Sequence, residues 1–221
     1  MAESLGVPLE AKLLGGLGCI LLAIAPILLD LAGLVLAIVG LILVLIACQR
    51  ISEALGEAKI FRDVLVASLL AIVSIGVLLA LSVGLAFAAV LSIPFTHGFT
   101  HFVGITPTAP SSSITHTPLL VVLIVLVASL VLTLISALYF KSGFTRISSK
   151  TGLRLFRDAG LLILISAAMV VAGAALIVLW GAGLIIMFIA LVISLVAWIL
   201  AAVAFFTVST ASRRLPPPPP L

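Results

Sequence analysis

Three histidines, His97, His101 and His116, lie within one short segment of this 221-residue chain. His97 and His101 are four residues apart, so a helix would place both rings on one side, and His116 could fold back to supply a third nitrogen. Imidazole nitrogens in this arrangement bind zinc or copper. However, Gly98 weakens a helix here, and the segment contains no acidic residue to orient the rings. The segment therefore predicts either a metal site or a solvated loop.

The densest polar stretch is RISEALGEAKIFRD at residues 50–63, and it returns in shortened form as RISSKTGLRLFRD at residues 146–158. With a one-residue gap, Gly56 aligns with Gly152, and both copies end in the same triplet. The two triplets are Phe61-Arg62-Asp63 and Phe156-Arg157-Asp158. Both copies lie between long apolar runs, which indicates a parallel internal repeat about an axis along the membrane normal.

The repeated triplet has a local role that is sufficient to explain it. Wound as a helix, the first copy is amphipathic and could lie in the membrane interface. Phe61 and Phe156 would then contact the acyl chains, and Arg62 and Arg157 would extend to the lipid phosphate groups. Asp63 and Asp158 would satisfy free N–H groups where the next spans begin. These roles follow from snorkelling and helix capping. A sharper hypothesis is that Arg62 pairs with Asp158, and Arg157 with Asp63, across the repeat axis.

Other polar residues offer little chemistry. Asp30 is the one charged residue of the apolar stretch 13–48, and Pro26 and Gly33 flank it. We interpret Asp30 as a hydrated acid at an outer turn, although a carboxylate within the membrane would be a candidate functional residue. The predicted spans contain no Asp, Glu, Lys, Arg or His, and the sequence lacks a P-loop, GxSxG, HExxH or CxxC motif. We therefore expect no enzyme activity and no cofactor.

The amino-acid composition indicates the environment in which these residues lie. The chain is 64% hydrophobic and 8% charged, far from the mixture of a soluble domain. Lipid solvates such a chain without the cost that water imposes. The net charge of +4 could suggest nucleic acid, but the basic residues follow the predicted membrane boundaries and form no single patch. The sequence therefore predicts an integral membrane protein that binds no nucleic acid.

The apolar runs predict an all-α, polytopic membrane protein whose six helices form a bundle of three hairpins. The predicted spans cover residues 13–29, 31–48, 64–93, 119–140, 159–179 and 184–206. They make up a transmembrane domain at 13–208. A short N-terminal segment at 1–12 precedes it, the His/Ser/Thr loop at 94–118 interrupts it, and an Arg/Pro tail at 209–221 follows it.

The positive charges predict the orientation. All eleven Lys and Arg residues fall on one side of the six predicted spans. The positive-inside rule makes that side cytoplasmic in the cell membrane, with both termini inside and the histidine loop outside. The tail Pro216–Pro220 would adopt polyproline II and could dock on a cytoplasmic partner, or remain a solvated end.

Four stretches resemble a known family. They are Leu14-Gly15-Gly16-Leu17-Gly18, Lys59-Ile60-Phe61-Arg62, Leu155-Phe156-Arg157 and the ending from Trp198 to Phe206. Together they resemble a small archaeal membrane family catalogued as a domain of unknown function, number nine-nine-six. The resemblance would cover most of residues 12–208. It implies a membrane location and an archaeal source, and it adds no catalytic residue.

These observations favour a non-enzymatic membrane protein that organises lipid or a protein complex, with a homo-oligomer or another membrane protein as a further partner. Small residues spaced for close helix packing fit that expectation. The first alternative is a passive carrier or pore for a small uncharged solute, lined by Ser and Thr hydroxyls. The second alternative is a metal-binding protein that uses the outer histidines.

Overall fold

The computed structural model describes residues 8–28, 31–92, 116–180 and 183–208, and these ranges contain helices and no strand. The helices are α1 (Leu9–Leu28), α2 (Leu31–Leu55), α3 (Ala58–Ser92), α4 (His116–Thr151), α5 (Arg154–Trp180) and α6 (Gly183–Thr207). Each of these six is long and apolar enough to cross a membrane. The predicted all-α, multi-pass fold is therefore confirmed.

The chain divides into two compact units. The first contains the residues up to Ala71 and those from Thr133 onward, and so includes α1, α2, α5, α6 and the Arg-rich ends of α3 and α4. The second unit is Ile72–Leu132. Within the second unit, the Ser74 hydroxyl donates to the Ser129 carbonyl at 3.0 Å, so a hydrogen bond joins α3 to α4.

Glycines let α1 and α2 of the first unit approach through their backbones. A Cβ on Gly18 would lie 2.7 Å from the Gly40 carbonyl oxygen, and a Cβ on Gly40 would lie 2.8 Å from the Gly18 carbonyl oxygen. Both distances are shorter than real side-chain contacts, so neither position accepts a larger residue without moving a helix. Lipid tails are as apolar as the helices, and close packing of this kind is a principal attraction between helices in a membrane.

Aromatic rings fill the centre of the first unit. Phe144 of α4, Phe156 of α5 and Phe205 of α6 are each fully buried. The Phe156 ring lies edge-on to both others, with centroids 5.9 Å from Phe144 and 5.1 Å from Phe205. The prediction that Phe156 dips toward the acyl chains was therefore wrong. The first turn of α5 presents this residue to α4 and α6, where ring packing replaces lipid contact.

Candidate functional site

The first copy of the repeated stretch forms a tight turn between two helices. α2 continues to Leu55, and Gly56 follows with a φ of 66°, a conformation that favours glycine. The Gly56 N–H donates to the Glu53 carbonyl at 3.2 Å, and the Glu57 N–H donates to the Ser52 carbonyl at 3.0 Å. These two bonds form a Schellman motif, which ends a helix by satisfying its last carbonyls.

The second copy ends a helix in a related way. Gly152 follows the last residue of α4 with a φ of 76°, and its N–H donates to the Ser148 carbonyl at 2.8 Å. α5 then begins at Arg154. The two aligned glycines thus occupy matching turns. The prediction of an amphipathic linker helix in the interface was wrong, because each stretch forms the end of one spanning helix and the start of the next.

Beside the first turn lies a group of charged and hydroxyl side chains that we call the polar cluster: Glu57, Asp63, Ser142, Arg146 and Lys150. The Asp63 carboxylate accepts hydrogen bonds from the Ser142 hydroxyl at 2.9 Å and from Arg146 Nε at 3.0 Å. Arg146 Nη1 also lies 3.4 Å from Glu57 Oε1, and Lys150 Nζ lies 3.5 Å from Glu57 Oε2. The polar cluster therefore joins the start of α3 to the last turns of α4.

The polar cluster balances two carboxylates against two cations. The Asp63 side chain is 9% exposed and that of Glu57 is 22% exposed, whereas Arg146 and Lys150 reach further into solvent. Each carboxylate thus has a cation within ion-pair distance, which is what a buried charge requires. This arrangement is suited to holding two helices together.

The structure differs from the ion pairs that the sequence predicted. Asp63 pairs with Arg146 and not with Arg157, whose Nε lies 3.8 Å from Asp158 Oδ1 on the surface. The cause is the register of α3 on α4. A Cβ on Gly143 would lie 2.6 Å from Val64 Cγ2, so this crossing brings the residues near 143 opposite the start of α3. Asp63 consequently meets the first arginine of the second copy.

The other predicted site residues are dispersed. Phe61 is half-buried, and Arg62 and Arg157 are exposed, and the membrane-entry roles of these three residues remain predictions. The predicted capping role of Asp63 and Asp158 was wrong, because α3 begins at Ala58 and α5 at Arg154, which places both aspartates beyond the first turn and its free N–H groups. Asp30 lies outside the described residues.

The predicted metal site falls largely outside the described part of the chain. His97 and His101 lie beyond it, and His116 is the first residue of α4. Within the described ranges, no three His, Cys, Asp or Glu side chains come together in a group that could hold a metal ion.

Sequence reasoning missed four members of the polar cluster. Arg146 opens the second copy of the repeat, and Glu57 follows the first turn, but neither position reveals its partner. The available signal was spacing, because Ser142, Arg146 and Lys150 follow one another at intervals of four residues. That spacing places all three on one face of a helix. The predicted span ended at residue 140, so these three residues were not assigned to a helix, whereas α4 continues to Thr151.

The comparison with protein families identifies the group to which the chain belongs. The family described as "Protein of unknown function (DUF996)" matches residues 36–174, which is more than half of the chain. The chain therefore belongs to that family. The matched range contains both copies of the repeated stretch and the whole polar cluster. No curated protein and no solved structure matches the chain.

Proposed function

We propose that this member of a family of unknown function is a non-enzymatic protein of the cell membrane that organises lipid or a membrane protein complex from its cytoplasmic side. The observation that carries the proposal is that the charged side chains of the polar cluster are paired with one another. The carboxylates of the polar cluster are neutralised by cations of the same chain. A catalytic site or an ion pathway would instead need a polar group that is available to substrate.

The serines within the spans support the same proposal. Ser68 donates to the Val64 carbonyl of its own helix at 2.8 Å, and Ser136 of α4 donates to the Ala67 carbonyl of α3 at 2.8 Å. The Ser136 bond joins two helices, as hydroxyl bonds between helices do in membranes. A carrier lined by Ser and Thr would need these hydroxyls to face the solute. Their bonds to backbone carbonyls therefore favour a packed bundle over the carrier alternative.

The distribution of charge supports the orientation. The Arg-rich turns that follow α2 and α4 lie on the same side as the start of α1, where Lys12 is found, if the six helices cross the membrane in succession. The positive-inside rule makes that side cytoplasmic. The unpaired basic side chains at the turns and the tail Pro216–Pro220 would then meet anionic lipid headgroups and cytoplasmic proteins.

Pull-down of the full chain from native membranes tests the proposal, with a variant lacking residues 215–221 as the matched control. We expect the full chain to recover a reproducible set of membrane or cytoplasmic proteins, and the shortened variant to lose those that dock on the prolines. Identical sets would remove the tail from the proposal.

A flux measurement separates the proposed role from the carrier alternative. Proteoliposomes that contain the full chain should take up small uncharged solutes, such as glycerol, no faster than protein-free vesicles. Saturable, protein-dependent uptake would contradict the proposal and support the carrier.

A further inference from the structure

We propose that Lys59 and Arg62, at the start of α3, bind the headgroup of an anionic phospholipid whose acyl chain lies along Val66 and Leu69. The inference rests on the proposed function to the extent that this end of α3 meets the cytoplasmic leaflet. It goes further by naming the ligand class and the residues that bind it.

The exposed face of α3 has the pattern that a phospholipid requires. Lys59 and Arg62 are three residues apart and both exposed, so their cationic groups lie close together on the first turns of the helix. Val66 and Leu69 continue the same face, and Leu69 is 55% exposed. The opposite face of these turns is buried and consists of Ile60, Asp63 and Val64. Charge is thus followed by apolar surface along the direction from the turn into the membrane.

The charges of Lys59 and Arg62 are available to a ligand. None of the ion pairs found among the described residues includes either side chain. The carboxylate adjacent in sequence, that of Asp63, points to the interior and accepts bonds from Ser142 and Arg146. The polar cluster therefore holds the Asp63 carboxylate away from the phosphate group that Arg62 would bind.

The second copy of the repeat supplies an internal comparison. Arg154 and Arg157 occupy the equivalent first turn of α5, and Leu161 follows on the same face with 44% exposure. Here, however, Asp158 is exposed, and its Oδ1 lies 3.8 Å from Arg157 Nε. The local charge is therefore about one unit lower than at α3. We expect anionic lipid to prefer the α3 copy for this reason.

A lipid fits this surface better than a free anion does. A soluble phosphate would contact only Lys59 and Arg62, whose attraction is screened by salt. A phospholipid adds the burial of its acyl chain against Val66 and Leu69, and it is already concentrated at the membrane boundary. The same arrangement explains why the first exposed turn of a spanning helix carries two cations without acidic partners.

Native mass spectrometry of the detergent-purified full chain tests the inference with phosphatidylglycerol as the anionic probe and phosphatidylcholine as the neutral one. Each basic residue near an anionic surface changes binding by about fivefold. The variant Lys59→Ala/Arg62→Ala should therefore bind phosphatidylglycerol about 30-fold more weakly than the wild type. The matched variant Arg154→Ala/Arg157→Ala should weaken the first binding event by less than about fivefold.

Two controls keep the result interpretable. The swapped variant Lys59→Arg/Arg62→Lys keeps both charges and should retain the wild-type preference, and equal melting temperatures exclude loss of the fold. Equal phosphatidylglycerol binding by the wild type and Lys59→Ala/Arg62→Ala would overturn the inference. Displacement of the lipid by an equal concentration of inorganic phosphate would also overturn it. The pull-down reports on protein partners, so failure of that experiment leaves the lipid measurement unaffected.

Discussion

Asp63→Asn is the substitution that most directly probes the polar cluster. It keeps the size of the side chain and removes the charge that attracts Arg146 Nε, which lies 3.0 Å from Asp63 Oδ2. The asparagine can still accept one hydrogen bond from Ser142. Arg146 then retains only its longer contact with Glu57, whose Oε1 lies 3.4 Å from Nη1.

The expected loss of stability depends on how far the side chains of Asp63 and Arg146 are buried. A hydrogen bond to a charged group contributes about 1.5–3 kcal/mol when it is shielded from water. The Asp63 side chain is 9% exposed, but that of Arg146 is 39% exposed, so solvent compensates part of the loss. We expect Asp63→Asn to lower the free energy of unfolding by about 1.5 kcal/mol. The matched control Asp158→Asn removes an exposed carboxylate at the equivalent repeat position and should change it by less than about 0.5 kcal/mol.

Unfolding in mixed micelles with increasing mole fraction of sodium dodecyl sulfate, followed by circular dichroism, measures both variants. Arg146→Gln completes a double-mutant cycle with Asp63→Asn, and we expect a coupling energy of about 1 kcal/mol. Equal stability of Asp63→Asn and Asp158→Asn, or additive effects in the cycle, would refute the reasoning that the polar cluster joins α3 to α4.

Three further substitutions, with Gly76→Ala as a control, test the packing and the turns. Gly18→Ala should destabilise by about 1–3 kcal/mol because its Cβ meets the Gly40 backbone, whereas Gly76→Ala, with nothing within 4 Å, should be neutral or slightly stabilising in the same micelle assay. Gly56→Ala should cost about 1–2 kcal/mol because of its φ of 66°, measured in the same way. Phe156→Ala should lower the free energy of unfolding by about 2–3 kcal/mol and lower the melting temperature. The substitution leaves a cavity among the packed rings, although moving a ring from protein to lipid costs less than moving it to water.

The number of helices could be predicted from the sequence because long apolar runs interrupted by charge have few other solutions in a membrane. The ends of the helices were harder to predict from the sequence. α4 extends to Thr151, eleven residues beyond the predicted end at 140, because polar residues can continue a helix into the aqueous boundary. The aligned glycines at 56 and 152 were visible, and a glycine after an apolar helix is a recognisable stop signal.

The partners of individual side chains could not be predicted, for a physical reason. In a membrane, the face that meets lipid and the face that meets another helix are both apolar, so periodicity does not distinguish them. Phe156 was consequently expected in lipid, although it packs against Phe205. The pairing of Asp63 with Arg146 depends on how α3 and α4 are aligned, and a single sequence does not contain that register.

The proposed function requires that the Arg-rich turns and the tail lie on the cytoplasmic side of the membrane. Reporter fusions test it most directly, with alkaline phosphatase or green fluorescent protein placed within residues 94–118 or after Leu221. We expect active phosphatase and no fluorescence in the loop, and fluorescence with inactive phosphatase at the C-terminus. Active phosphatase at the C-terminus, or a fluorescent loop fusion, would contradict the orientation and the proposed function that depends on it.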